Sequence, residues 1–364
     1  MSRKIKVCYV LSYRAPNYVR TTSIIESLKL SKRVELFVAK NNIRGLIRYL
    51  ETFVKFLWIR VKYNPDAYIV GFRGHEIYWL LRIFALRKAF FFDEMMSPYF
   101  AFVEDRLVFK KSNLLAKLIF WIEKSILENA NYILTDTDIH VNFLTDKFQI
   151  SKKKIVALPV GTDEGLFSKQ KYKDQSNENE FTVFFYSTFL PLHGISTILK
   201  AALRLRKLSI KFVIIGGQDR PNALEEFEEF VENEKLKNIE HYAWIEFESL
   251  PEYISKANLC LGGPFGDTPQ ARRVITGKTY QFLCLGKPTV IGKIEGLEKY
   301  GFTDRQNCLI CEQGNPKALA ETIRWAYENR NEISKIGSQG KNLFEKEFSY
   351  NNIKSVLEKI LGNI

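Results

Sequence analysis

The densest run of residues able to do chemistry lies between Cys260 and Gly292, CLGGPFGDTPQARRVITGKTYQFLCLGKPTVIG. Gly262, Gly263 and Gly266 free the backbone from its usual φ limits. Arg272, Arg273 and Lys278 then fall just before or at the start of a helical segment, Tyr280–Leu285. A helix start presents unpaired N–H groups and a partial positive charge, and three added cations make a seat for a phosphorylated ligand. Gly286-Lys287-Pro288 stops the helix, and Thr289–Ile291 begins another strand. The same pattern also suits an ordinary βαβ unit with glycine turns.

Other candidates stand where an apolar run gives way to polar residues. Asp93 and Glu94 follow AFFF, and His75 follows AYIVGFRG, so all three sit at carboxyl ends of expected strands. Asp93 is placed to orient or deprotonate a hydroxyl, or else to cap a helix or pair with Arg73. His193-Gly194 opens a helix after a strand, as a phosphate or sugar contact or as a turn histidine. Tyr13, Arg14 and Arg20 occupy the first strand-to-helix loop, where arginines either meet an anion or are solvated. Cys308 and Cys311 form one CxxC, which without a second pair cannot supply four zinc ligands and reads as buried strand cysteines.

These residues need a scaffold of alternating strands and helices. Lys6–Leu11, Val34–Ala39, Ala67–Val70, Ala89–Phe92, Tyr132–Thr135 and Ile155–Pro159 read as strands in the first half, with helical patterns between most of them. Ser23-x-x-Glu26 has the form of a capping box, although the helix could begin earlier, near Arg20. Ser168–Glu180 is polar, without aliphatic residues, and reads as a linker. A second series follows: Thr182–Tyr186, helix Ile195–Leu208, Lys211–Ile215, helix Ala223–Lys235, Ile239–Ala243, helix Leu250–Lys256, Leu259–Leu261, Cys308–Cys311 and helix Pro316–Glu328. Ser349–Leu361 has helical spacing. Such alternation implies parallel sheets with helices on both faces, in two α/β domains with a cleft between them, ligands lying beyond the carboxyl ends of strands.

Composition agrees. The apolar fraction of 46% supports sizeable cores, and a mean hydropathy of −0.16 fits a soluble protein. No apolar run is long enough to span a bilayer, and five scattered cysteines suggest reduced thiols in a cytoplasmic protein. Of the net charge of +13, residues 1–62 alone carry fourteen Lys/Arg against three Asp/Glu. A basic first half suggests anionic partners. Ile43–Val61 holds an apolar stripe with Arg44, Arg48, Lys55 and Lys62 off it, a helix that buries its stripe on the sheet or lies on an anionic membrane surface.

The second half resembles the donor domain of family 4 glycosyltransferases, through YSTFLPLHGISTILKAA, KFVIIGG, the 259–291 stretch and NCLICEQGNPKALAETI in that order. FFFDEMMSPY, IEKSILENANYILTDT and IVALPVGTDEGLF resemble the acceptor-domain strands and the exit strand, with its Pro159, Gly161 and Asp163. The resemblance implies the GT-B fold: two Rossmann-like domains facing a central cleft, an acceptor domain of 1–167 plus 346–364, a linker at 168–180 and a donor domain of 181–345, with the C-terminal helix packing back on the first. It implies retaining, metal-independent transfer of a sugar from a nucleotide-diphosphate-sugar to a glycan or lipid-linked acceptor, with no cofactor. Ser187, His193, Gly194, Gly216, Gly266, Arg272, Arg273, Lys278 and Gln281 fall on the donor side, and Tyr13, Arg14, Arg20 and Glu94 on the acceptor side. Asp93, His75, Arg273 and Lys278 take the catalytic positions. Where the family usually carries paired glutamates this chain has Arg273 and Gln281, and its usual diphosphate-binding Arg and Lys fall at Ser187 and His193. The chain thus resembles a variant subset with an Arg–Lys–Gln arrangement. Such an enzyme works in the cytoplasm, at or near the inner face of the membrane.

Two other classes remain. The altered donor positions motivate a non-catalytic GT-B scaffold that binds a glycan or a partner. The basic first half motivates a nucleic-acid binder, but no zinc, RNP or helix-turn-helix signature supports one.

Overall fold

The computed structural model describes residues 3–105, 108–168 and 180–364, so most of the expected linker at 168–180 lies outside the described residues. The chain divides into two compact units, Met1–Gly161 with Tyr350–Ile364, and Thr162–Ser349.

The first unit alternates strand and helix: β1 (Ile5–Leu11), α1 (Val19–Lys29), β2 (Val34–Lys40), α2 (Ile47–Tyr63), β3 (Ala67–Val70), α3 (Tyr78–Ala85), β4 (Ala89–Asp93), α4 (Leu114–Asn129), β5 (Tyr132–Thr135), α5 (Asp138–Phe148) and β6 (Ile155–Ala157). All pairings are parallel, in the order β2-β1-β3-β4-β5-β6, with Val7 opposite Ala67 and Phe91 opposite Tyr132. Runs such as AYIV are buried along their whole length because helices cover both sheet faces. One face packs against α2, α3, α4 and α5 through Phe56, Tyr78, Leu81, Ile126 and Phe148.

The second unit repeats the plan with β7 (Phe181–Ser187), α6 (Ile195–Arg204), β8 (Ile210–Gly216), α7 (Pro221–Asn233), β9 (Ile239–Tyr242), α8 (Leu250–Lys256), β10 (Leu259–Leu261), α9 (Gly277–Cys284), β11 (Thr289–Gly292), β12 (Leu309–Cys311), α10 (Pro316–Glu328) and α11 (Arg330–Leu343). Its sheet order is β12-β11-β10-β7-β8-β9. Strand order reverses between β7 and β10 here, and between β1 and β3 in the first unit. Doubly wound sheets hold ligands beyond the carboxyl ends of the strands at such points.

The last helix, α12 (Tyr350–Leu361), returns to the first unit as expected. Ile353, Leu357, Ile360 and Leu361 join Ile24, Ile25 and Leu28 of α1 over the sheet face opposite α2–α5. Ser31 Oγ meets Glu358 Oε1 at 2.5 Å.

Two local readings change. Ser23 does not cap α1: the helix begins at Val19, and the Ser23 hydroxyl donates to the Val19 carbonyl four residues back, at 2.9 Å. The apolar stripe of α2 is not its buried face. Thr52, Phe56 and Ile59 face the core, while Leu46, Ile47, Leu50, Val54, Trp58 and Val61 are exposed. Apolar residues surround much of this helix, and the large Phe56 fits the sheet beside Tyr68. The five cysteines are all buried and none forms a disulfide.

Candidate active site

In the second unit, the loops leaving β7, β8 and β10 interlock at the carboxyl edge of the sheet. Gly194, at φ +70, sits so close to the 265–266 backbone that a Cβ would lie 2.3 Å from the Phe265 carbonyl carbon. Gly266 donates to the Leu192 carbonyl at 3.0 Å, and a Cβ there would come 2.1 Å from the Pro191 carbonyl. Gly216, at φ +130, has no room beside the Ser187 carbonyl. Side chains at these positions would push the loops apart, so the glycines set the closeness of the site.

Against this backbone lie Lys278 and His193. Thr276 precedes α9 and donates to the Gly262 carbonyl at 2.6 Å, which ties the helix start to the glycine loop. Lys278, in the first turn, is only 5% exposed. Its ammonium lies 4.8 Å from the Phe185 ring centre, and among the described residues no carboxylate forms an ion pair with it. Burial pushes its pKa down to about 7. His193 is held well below its ordinary value by burial and by the charges of Lys278 and Arg220, so it is a neutral imidazole at pH 7. Its Nδ1 is buried without a hydrogen-bond partner among the described residues. A buried cation, a helix start and a second cation nearby leave excess positive potential at one spot, which an anion would neutralise.

The other donor-side candidates fall at varied depths. Gln281 is buried and accepts the Tyr186 hydroxyl. The Ser187 oxygen accepts the Phe189 N–H at 3.2 Å. Arg273 is half-buried; Arg272 is exposed and ion-pairs with Asp267 at 2.5 Å. The charge expected of three adjacent cations thus rests at depth on Lys278 alone. Arg220 and Tyr186 were not foreseen: Arg220 lies in a loop with no motif around it, and Tyr186, though it opens the YSTFLPLHG segment, shows its part only through its contact with Gln281.

The first unit gathers a separate polar cluster at the carboxyl ends of β3, β4 and β5. Arg20 and Asp93 are both fully buried, with Arg20 Nη2 2.9 Å and Nε 3.1–3.2 Å from the carboxylate. Arg20 also donates to the carbonyls of Leu158, Pro159 and Thr135. Burial, the largest single influence, would lower the Arg20 pKa, but the charge and hydrogen bonds of Asp93 together with the Asp136 charge outweigh it and hold the guanidinium protonated. Both Asp93 oxygens face Arg20, so this aspartate ties α1 to β4 and pairs with Arg20 rather than Arg73. Beside it, His75 Nε2 meets Glu94 Oε2 at 2.8 Å, with the imidazole slightly exposed and Glu94 fully behind it. Burial lowers the His75 pKa and raises that of Glu94. Glu123, which the sequence did not single out, is pushed up to about 8 by burial and by Glu94. A histidine with a carboxylate behind it has the form of an oriented general base. Tyr13 is half-buried, pinned through its backbone to Asn41 and edge-on to Phe72 at 5.2 Å; Arg14 is exposed.

Residues 180–329 match the family described as glycosyl transferases group 1. A curated relative, an uncharacterized glycosyltransferase of Methanocaldococcus jannaschii, is 23% identical over 48% of this chain, and the matched region spans 46% of that relative, about half its length. Among solved structures, a glycosyltransferase from Rickettsia africae is 14% identical at TM-score 0.72, covering 100% of this chain and 99% of its own. HepE of Anabaena in complex with UDP-glucose is 12% identical at TM-score 0.72, covering 99% of this chain and 100% of its own. Sucrose-phosphate synthase from Thermosynechococcus elongatus is 17% identical at TM-score 0.72, covering 99% of each chain. The fold of this chain is GT-B.

Proposed function

We propose that the protein is a glycosyltransferase that draws a sugar from a nucleotide-diphosphate-sugar. The observation that carries this reading is Lys278: a buried ammonium without an ion-pair partner among the described residues, at a helix start and near enough for its charge to act on His193. The match of residues 180–329 to the glycosyl transferases group 1 family, and the UDP-glucose complex of a protein with the same fold, agree with it. In this reading the diphosphate takes Lys278 as its counter-charge, and His193 donates a neutral hydrogen bond to a phosphate or sugar oxygen. As the bond from sugar to diphosphate breaks, negative charge grows on the leaving oxygen, and a fixed cation in a dry site stabilises it without reorganising. The close backbone around Gly194 and Gly266 seats the donor, and Arg273 adds charge from the half-buried rim. Gln281, oriented by Tyr186, addresses a donor hydroxyl.

His75, backed by Glu94, is the acceptor-side base in this reading, and Asp93 with Arg20 positions the helix and strand that carry them. The acceptor is a glycan or a lipid-linked saccharide. Retention of configuration and independence from metal belong to the same proposal.

Calorimetry with UDP tests the donor site. Wild-type protein should bind, and Lys278→Met should weaken binding by about a hundredfold or more, the loss of a charge-assisted contact to phosphate. The wild-type affinity should also fall as pH rises above about 7, where the free enzyme loses the Lys278 proton. Undiminished UDP binding by Lys278→Met would refute the assignment. Failure of the wild type to bind any of UDP, GDP or ADP would favour a non-catalytic scaffold.

A further inference from the structure

The first unit carries a large apolar face with no partner. Of 22 large apolar side chains exposed among the described residues, 18 fall between Ile43 and Ile122, and only Trp244 and Phe247 belong to the second unit. A patch confined to one region of one unit is not the scatter of single apolar residues that any surface shows.

Three helices build it. On α2 the exposed residues are Ile47, Leu50, Val54, Trp58 and Val61, at helical spacing. α3 shows Trp79, Leu80, Ile83 and Phe84, and α4 shows Leu114, Leu115, Leu118 and Trp121. The opposite faces of all three enter the same core on the same side of the sheet. They are neighbours: Phe53 meets Phe84 edge-on at 5.2 Å between α2 and α3, and Tyr78 and Arg82 of α3 both donate to Asn129 of α4. Their exposed faces therefore look outward together.

The charges around the face choose its occupant. Between residue 43 and the end of α4 at 129 the described side chains include six exposed cations, Arg44, Lys62, Arg87, Lys110, Lys111 and Lys117, against two exposed acids, Glu76 and Glu128. Lys62 lies over the Trp58 ring, its ammonium 4.6 Å from the ring centre. Beyond Leu86, at the end of α3, Arg87 and Lys88 turn into a hollow that Arg3, Lys4, Lys153 and Lys154 also line, with Asp66 the one acidic side chain among the described residues there. Exposed tryptophans beside cations suit the boundary between water and lipid, where the rings enter the headgroup layer and the cations meet anionic phosphates. A second copy of the chain would bring two cationic faces together, which disfavours self-association.

We propose that the outer face of α2, α3 and α4 docks on an anionic lipid bilayer, lying in its surface without crossing it. No helix among the described residues is long and apolar enough to span a membrane. The proposal is independent of the donor-site reading, since it uses no residue of the second unit.

Co-sedimentation with phosphatidylcholine vesicles containing about a third phosphatidylglycerol tests it, against vesicles of phosphatidylcholine alone. Wild-type protein should sediment with the anionic vesicles at least about tenfold better than with the neutral ones, and high salt should release part of it. Trp58→Glu and Trp121→Glu, each at an exposed position, should reduce binding about tenfold or more apiece while keeping the wild-type melting temperature. Trp244→Glu, in the second unit, should bind as wild type does. The idea is overturned if the wild type ignores anionic vesicles, if the first two variants bind undiminished, or if Trp244→Glu loses as much as they do. A dimer in solution that Trp58→Glu abolishes, without vesicle binding, would assign the face to a second copy instead.

Discussion

Lys278 shows what a residue type in a sequence conveys and what it does not. Its place after the glycine loop was visible, and so was its value to a phosphate. Its burial and its lack of an acidic partner were not, because they depend on α9 packing under the strand end beside Phe185. Those two properties give the folded protein a cost. Its pKa near 7 lies below the ordinary 10.5, so the unfolded chain holds the extra proton between those values. Stability therefore rises as pH climbs from about 7 to about 10.5, and the full cost of the buried charge is felt below 7. Lys278→Met should consequently be more stable than wild type by on the order of 2–4 kcal/mol at pH 6, with the difference vanishing toward pH 10.5. Thermal melts of both proteins across that range measure it. Arg20 gives the opposite lesson: its position in the first loop suggested an anion contact, but the partner it found is Asp93, remote in sequence and brought near only by the sheet.

Among elements, strands were the most legible. Runs such as AYIV and AFFF are apolar at every position because both sheet faces are covered, so they stand out without any periodicity. Helix orientation was harder to read. In α2, Tyr49, Phe53 and Phe56 on one side compete with Leu50, Val54 and Trp58 on the other, and only packing against Tyr68 decides which side turns inward. Loop-to-loop contact was invisible too, since nothing in His193-Gly194 says that Phe265 lies against it. That contact yields a prediction. Gly194→Ala adds a Cβ 2.3 Å from the Phe265 carbonyl carbon at a positive φ, so the loop after β7 must move. The variant should lose about 1–3 kcal/mol of stability and bind UDP at least about tenfold more weakly, by chemical denaturation and calorimetry. Wild-type binding in a stable Gly194→Ala protein would show that the close approach is not needed.

At the level of the whole molecule, two parallel sheets follow from the alternation of elements and a final helix from the spacing within 349–361, whereas the return of that helix to the first unit is what the family resemblance implies. Part of the charge asymmetry, read as a partner signal, gains a location in the structure: six exposed cations lie in the segment that carries the apolar face of α2–α4. The return of α12 is testable. Leu357 is fully buried against the sheet of the first unit, although some 190 residues separate α12 from Gly161 in the chain. Leu357→Ala should cost about 2–4 kcal/mol, and hydrogen exchange should speed up in β1, β3 and α1 while the amides of β7–β12 keep their protection. Faster exchange in the second sheet alone would place the helix elsewhere.

Because α12 completes the first unit yet follows the whole of the second in the chain, the order in which the parts are made differs from the order in which they can be finished. A ribosome completes every strand of the first sheet before starting the second, yet Leu134, Phe91 and Ile69 lack part of their cover until residues 350–364 emerge. At usual elongation rates the intervening stretch takes roughly 10–40 s to synthesise. Throughout that interval the nascent amino-terminal half waits with oily surface bare, a substrate for chaperones, while the inserted half, continuous in the chain, can settle first.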